Sequence, residues 1–206
     1  MLKIAEIFHS LQGESTYAGL PCIFIRLSGC NLNCSYCDTG YALGEGTEWS
    51  VEQILDKIRQ YQCNLVELTG GEPLCQTEAI QLLQRLCDEG YTVLLETNGS
   101  ISVAEVPPEV IKIIDVKLPS SGYGESFLTE NLRYLQTHDQ IKFVMGDKRD
   151  YETAKDFIAQ HGLKGGNILF SPVSDKLKAG KLAEWVLQDS LDVRLQIQLH
   201  KILDIK

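Results

Sequence analysis

The 206-residue chain reads as an α/β protein built on a parallel sheet. Short apolar runs alternate with single amphipathic segments of helical period, the rhythm of strand–helix–strand units. About six such units occur, too few to close a standard eight-unit barrel, so an open partial barrel or a doubly wound sheet fits. The residues with chemical potential, Cys30, Thr69 to Glu72, Glu96 to Gly99, Lys117, Gly146 and Ser171, fall at or just beyond the C-terminal ends of the apolar runs. In either architecture that edge carries the ligands.

The elements follow in order. AEIFHSLQGEST (from Ala5) is polar for a core strand, and with the glycine-rich GYALGEGTE (from Gly40) it is expected to decorate one end of the sheet. PCIFIRLSG (from Pro21) is a short apolar run ending in glycine, a buried strand. SVEQILDKIRQ pairs Ser50 with Gln53 in a capping-box pattern ahead of the apolar face Val51, Ile54, Leu55 and Ile58. NLVELTGGEP is the next strand with a glycine loop. Thr77 can cap a helix with Ala79, Ile80, Leu83, Leu86 and Cys87 on one face, stopped by Gly90. YTVLLETNG and IKIIDVKLP are strands, SFLTENLRYLQ (from Ser126) looks helical, and QIKFVMG is a strand. Asp150 opens the helix YETAKDFIAQ, which stops near Gly162. NILFSP is a strand, KAGKLAEWVLQ a helix, and VRLQIQLHK, with its period-2 alternation, a final strand.

Composition narrows the class. A hydrophobic content of 44% in 206 residues supports one globular domain, residues 1–206, with an ample core. The net charge of -9 and a pI near 4.9, with no basic run, argue against nucleic acid as a partner. The N-terminus is too short and polar for a signal peptide, and no apolar stretch is long enough to span a bilayer, so a cytoplasmic protein without membrane contact is expected. Seven cysteines in a reducing compartment favour metal or catalytic use over disulfides. Cys22, Cys63, Cys75 and Cys87 are scattered and are expected to be small buried hydrophobes.

The other three, Cys30, Cys34 and Cys37, form C-x3-C-x2-C within CNLNCSYCDT. A structural zinc site would need a fourth ligand such as Cys22 or His9. A redox pair would use Cys34 and Cys37 and leave Cys30 without a role. A [4Fe-4S] cube held by three thiolates leaves one iron open to a small chelating ligand, such as the amino and carboxylate groups of an amino acid.

C-x3-C-x2-C with Tyr36 just before the last cysteine, followed by Gly70-Gly71-Glu72-Pro73 after a strand, resembles the radical S-adenosylmethionine superfamily. The resemblance implies a [4Fe-4S] cluster and S-adenosylmethionine as cofactors, with a 5'-deoxyadenosyl radical abstracting hydrogen from a substrate. It also implies an open, partial barrel of about six parallel strands with few helices, and Gly40, Gly44 and Gly46 agree in making a helix after the cysteine loop unfavourable.

Over nearly the whole chain, FHSLQGEST, FIRLSGCNLNCSYCDT, ELTGGEP, ETNG, DVKLPSSG, KFV and QLHK are together similar to the 7-carboxy-7-deazaguanine synthase family. The activity implied is conversion of 6-carboxy-5,6,7,8-tetrahydropterin to 7-carboxy-7-deazaguanine with loss of ammonia, dependent on Mg2+ and serving queuosine or related 7-deazapurine pathways. By this resemblance residues 1–20 are a substrate-binding extension on the partial barrel of residues 21–206. Cys30, Cys34 and Cys37 hold the cluster, and Thr39 gives Mg2+ an oxygen. Tyr36, Asp38, Gly71, Glu72, Asn98, Lys117, Ser171 and Pro172 surround S-adenosylmethionine, although the family often has a Gln-Pro pair where this chain has Ser171-Pro172. Leu11, Gln12, Gly13, Glu14, Arg26, Thr69, His200 and the carboxylate of Lys206 contact the pterin. Arg26, alone in an apolar strand, needs a partner, which is either a substrate carboxylate or a structural acid. A flavodoxin- or ferredoxin-type reductant and a homodimer are the implied partners. The alternatives are a glycyl-radical-enzyme activating enzyme and, outside enzymes, a zinc-binding interaction module.

Overall fold

The computed structural model describes all 206 residues and places nine strands in one sheet. They are β1 (Leu2–Leu11), β2 (Pro21–Leu27), β3 (Thr47–Trp49), β4 (Leu65–Gly70), β5 (Thr92–Thr97), β6 (Ile111–Asp115), β7 (Gln140–Met145), β8 (Ile168–Pro172) and β9 (Arg194–Leu195). The order is β3-β1-β2-β4-β5-β6-β7-β8-β9, parallel from β2 onward, with β1 antiparallel to both its neighbours. β3 and β9 are the two edges, so the sheet is an open partial barrel and not a closed one.

Odd and even positions of the parallel strands go to different faces, as the pleat requires. Ile23, Ile25 and Leu27 of β2, Val66 and Leu68 of β4, and Ile141 and Phe143 of β7 join the main core under the helices. Those helices are α1 (Val51–Ile58), α2 (Glu78–Asp88), α3 (Lys148–His161) and α4 (Ala179–Gln188), with a short α5 (Leu199–Leu203) near the C-terminus. On the inner face Cys22, Phe24, Leu65, Leu94, Ile111 and Ile113 make a small apolar floor. Polar and charged side chains stand above it toward the C-terminal ends of the strands.

The capping box of α1 forms as expected, with Gln53 N–H donating to Ser50 Oγ at 3.2 Å and Ser50 N–H donating to Gln53 Oε1 at 2.8 Å. Other local expectations need correction. Residues 1–11 are not decoration, because β1 pairs on both sides. Its alternation is hidden by a bulge between Ile4 and Glu6. Leu2 and Ile4 enter the helix-side core, but beyond the bulge Ile7 faces that way and Phe8 faces the inner floor. Thr77 makes no cap bond; its hydroxyl donates to Glu78. α3 starts before Asp150, because Asp147 accepts from Asp150 N–H at 2.9 Å and is the cap. The segment SFLTENLRYLQ forms only a 3-10 turn over Thr129–Tyr134. Its buried Asn131 donates to the carbonyls of Gly99 and Ile101, which ties the turn to a neighbouring loop and stops an α-helix from developing. VRLQIQLHK is a strand only at β9, since Gln196 and Gln198 then turn inward and α5 follows. Of the four scattered cysteines Cys22 is buried, Cys63 and Cys87 are partly so, and Cys75 is exposed, against expectation.

Lys112 of β6 and Asp139, just before β7, form an ion pair of 2.9 Å with both side chains 1% exposed. Asp139 also accepts from the N–H groups of Lys112 and Gln136. This pair locks the strand ends opposite the ligand edge. Asp139→Ala strands a buried ammonium and is expected to cost about 3–5 kcal/mol, read as a lowered midpoint in urea unfolding. An unchanged midpoint would mean that the pair is replaced at no cost.

Candidate active site

A cavity of about 600 Å³ opens at the C-terminal edge of the sheet. Rows of inner-face residues build its floor through strand register. Phe24 lies beside Glu67 and Glu67 beside Leu94, while Arg26 neighbours Thr69, Glu96 neighbours Ile113, and Asp115 neighbours Lys142. The apolar floor thus gives way within one residue step to a layer of charge.

Lys142 is the centre of that layer. Its ammonium donates to Glu14 at 3.0 Å and to Glu96, and lies 3.8 Å from Asp115. Burial favours the neutral amine, but Glu14, Glu96 and Asp115 outweigh it and hold the pKa well above the usual lysine value. Burial likewise works against the Glu14 carboxylate, yet Lys142 and the Gln198 amide keep its pKa below the usual range. Glu67 goes the other way. Burial, then the charge of Glu96, pushes its carboxyl well up, because its only side-chain partner is the Gln12 amide.

The cysteine loop runs from Cys30 to Thr39, directly after β2, and carries no helix. Backbone and hydroxyl contacts shape it: Ser35 N–H and Oγ donate to the carbonyls of Ser121 and Ser120, and the Tyr36 hydroxyl donates to Val144 O at 3.1 Å. Gly71 closes against it. A Cβ at Gly71 would stand 2.2 Å from Gly29 O and 2.7 Å from Cys30 Cβ, so only glycine allows this approach. All three thiols line the cavity. Burial pushes the Cys30 and Cys34 thiols up, with Lys117 opposing. No three Cys, His, Asp or Glu side chains converge on one ion position. Neither Cys22 nor His9 lines the cavity as a fourth ligand beside them. A cube takes each sulfur on a different iron, and three sulfurs on one short loop suit that donor set.

Most of the other expected residues converge here. Leu11, Gln12, Gly13, Glu14, Arg26, Tyr36, Asp38, Thr39, Thr69, Gly71, Asn98, Lys117, His200 and Lys206 all line the cavity. Their partners refine their roles. Gln12 is used within the protein, donating to Glu67 and accepting from Glu14 N–H at 2.9 Å. Arg26 Nε donates to Glu6 at 3.0 Å, while neither terminal nitrogen has a protein partner, so the structural acid takes only part of the guanidinium. Lys206 Nζ also reaches Glu6, and Ser10 Oγ donates to a main-chain oxygen of Lys206. His200 lies over Gly13, where a Cβ would meet its ring at 2.1 Å. Three residues do not line the cavity. Glu72 is fully buried and accepts from Leu74 N–H at 3.0 Å, Asn98 N–H at 2.7 Å and the Thr97 hydroxyl, so it clamps two loops beneath the site. Ser171 and Pro172 sit in β8, just short of the lining residues Val173 and Ser174. The Ser171 Oγ is buried with no partner, as is Asp115 Oδ1.

Sequence reasoning missed Glu67, Asp115 and Lys142, and placed Glu96 at the ligand edge without a role. The signal was present, since each is a charge inside an otherwise apolar strand, the same pattern that singled out Arg26.

Residues 24–116 match the model of the radical SAM superfamily, a span that holds the cysteine loop and the Gly70-Gly71-Glu72-Pro73 turn. A curated 7-carboxy-7-deazaguanine synthase from Koribacter versatilis is 47% identical over 218 residues, covering 98% of this chain and 96% of the relative. One from Chlorobaculum tepidum is 45% identical, covering 98% and 94%. The chain belongs to the 7-carboxy-7-deazaguanine synthase family. The crystal structure of QueE from Escherichia coli superposes with a TM-score of 0.77 at 27% identity, over 95% of this chain and 93% of that one. As a radical SAM enzyme family, it implies a [4Fe-4S] cluster and S-adenosylmethionine, and the three thiols beside the Gly71 turn fit them. Membership favours neither a glycyl-radical activating enzyme nor a zinc module. No helix is long and apolar enough to cross a membrane.

Gly71→Ala forces the cysteine loop away from the turn, so iron retained after anaerobic reconstitution should fall well below wild type while the far-ultraviolet dichroism stays unchanged; full iron loading would refute the close-approach argument. The raised Glu67 pKa means that its stabilising contribution is fully present below the ordinary carboxylate pKa and is lost as pH rises through the raised value. Gln12 can still donate to an amide oxygen. Glu67→Gln should therefore be at least about 1 kcal/mol more stable than wild type at pH 8 and close to it at pH 5, measured by denaturant unfolding of the reduced chain. A pH-independent difference would exclude a buried carboxyl of raised pKa.

Proposed function

We propose that this chain converts 6-carboxy-5,6,7,8-tetrahydropterin to 7-carboxy-7-deazaguanine, with loss of ammonia, in queuosine or related 7-deazapurine biosynthesis. The reading rests on one observation. In a chain similar to curated synthases over nearly its full length, the three-thiol loop shares a single cavity with Arg26, whose terminal nitrogens have no protein partner. When bound, the cluster and S-adenosylmethionine supply a 5'-deoxyadenosyl radical able to take a hydrogen atom from the substrate.

The protein's own part is to bind, orient and exclude water. Cys30, Cys34 and Cys37 would hold the cluster. Tyr36, Asp38, Gly71, Asn98 and Lys117 surround the adjoining space for S-adenosylmethionine, with Glu72 holding the Gly71 turn in place from below. The free Ser171 hydroxyl and Asp115 Oδ1 are buried acceptors at the same edge. The terminal nitrogens of Arg26 have no protein partner and suit the substrate's carboxylate, while the carboxylate of Lys206, met by the Ser10 hydroxyl, is an acceptor at the same wall. Thr69 presents a hydroxyl already oriented by its bond to Glu96 at 3.2 Å. His200 and the segment around Gly13 close the site toward the C-terminus. Thr39 would give Mg2+ one oxygen ligand, and the substrate carboxylate and waters would complete a shell that Mg2+ readily keeps hydrated. The same reading includes a flavodoxin- or ferredoxin-type electron donor, a homodimer and a cytoplasmic setting.

The test is an anaerobic assay of the reconstituted chain with S-adenosylmethionine, reductant, Mg2+ and 6-carboxytetrahydropterin. Formation of 7-carboxy-7-deazaguanine, lost in Cys34→Ser and reduced without Mg2+, is the expected result. A chain that makes 5'-deoxyadenosine but no deazaguanine would refute the assignment.

A further inference from the structure

We infer that Glu67 is a specificity-determining substrate contact, whose Oε1 accepts from the amine-bearing edge of the pyrimidinone ring of the pterin. The inference rests on the pterin reading above. Glu67 stands in β4 between Phe24 and Leu94 by register, so it rises directly from the apolar floor. It is 3% exposed and lines the cavity. Its Oε2 accepts from the Gln12 amide. Oε1 has no protein partner and is not among the sealed orphan atoms, which are Asp115 Oδ1, Ser126 Oγ and Ser171 Oγ, so its lone pairs open into the cavity.

Every neighbouring acid already has a cation bonded to it. Glu14 takes Lys142, Gln196 and Gln198, while Glu96 takes Lys142 and Thr69. Asp115 takes Lys117, and Asp38 takes Lys201. Glu67 alone in this layer has no cation bonded to it. A buried carboxyl with an unfilled oxygen is costly unless something completes it. A donor placed at Oε1 favours the ionised carboxyl, which accepts at both oxygens, so the group calls for an N–H donor, and a flat ring lying against Phe24 would bring its edge to it. The 2-amino group and ring N–H of a pterin supply such donors. The same ring with oxygen in place of the 2-amino group supplies one fewer and adds an acceptor that meets Oε1 unfavourably.

The experiment measures dissociation constants of the reconstituted protein for two stable probes, pterin-6-carboxylate and lumazine-6-carboxylate, which differ in that one substituent. Wild type is expected to prefer the aminated ring by at least about tenfold. In Glu67→Gln, whose amide can donate to the oxo group, the ratio should fall to near one or invert. Glu67→Asp, which withdraws the oxygens by one methylene, should also narrow the ratio and serves if the Gln variant does not fold. A purely structural role would weaken both probes alike and leave the ratio unchanged, and that result in either folded variant overturns the inference alone. Wild type that binds neither ring would overturn the pterin reading itself, and this inference with it.

Discussion

The active-site end of this molecule depends on one buried ammonium. Lys142 reaches the cavity floor from β7 and meets carboxylates from three other places: Glu14 after β1, Glu96 on β5 and Asp115 on β6. A buried charge of either sign is costly alone, and each of these groups is stabilised by the others. The consequence is positional. The segment around Gln12 to Ser15 has little apolar side chain to anchor it, and it is held in place by Glu14. Gln196 and Gln198 then bond to the same carboxylate, and Leu199 N–H donates to Gly13 O, so the C-terminal segment is aligned through it as well. Two chain segments nearly 190 residues apart are brought to one rim by a charge on a third.

The cysteine loop is organised differently. It borrows its shape from loops after neighbouring strands, through the carbonyls of Ser120 and Ser121 and the backbone of Gly29 and Gly71. Glu72 joins the turn after β4 to the loop after β5 by accepting from both. Burial pushes that carboxyl up despite the donors from Asn98, Leu74 and Thr97 that oppose it. Its separation from the cavity makes it a support for the groups that line it, a distinction that residue type alone does not draw.

The parallel strands were legible in the sequence because continuous apolar runs between glycine-rich turns leave few other readings. The cysteine loop was legible because three thiols at that spacing leave few chemistries. What escaped the sequence depends on tertiary partners. The polar β1 becomes a strand because β2 and β3 pair with it, and the alternation that would have marked it is broken by the bulge. Asn131 turns a helix-like stretch into a 3-10 turn through carbonyls about thirty residues away. Gln196 and Gln198 end a convincing alternation because Glu14 is nearby. The acids of the cavity floor were visible as single charges in apolar strands, yet only register reveals that they share one face with Lys142.

The bulge in β1 acts as a parity switch. Ahead of it the strand counts for the core; past it the count is shifted by one, and Phe8 is delivered to the face that holds the cavity. Removing or adding one residue there would leave composition and hydrophobicity almost untouched. It would nonetheless exchange the inward and outward sets on one side of the switch, taking Phe8 from the floor and Glu6 from Arg26. In a strand that sends Phe8 and Leu11 to the cavity, length therefore matters as much as identity.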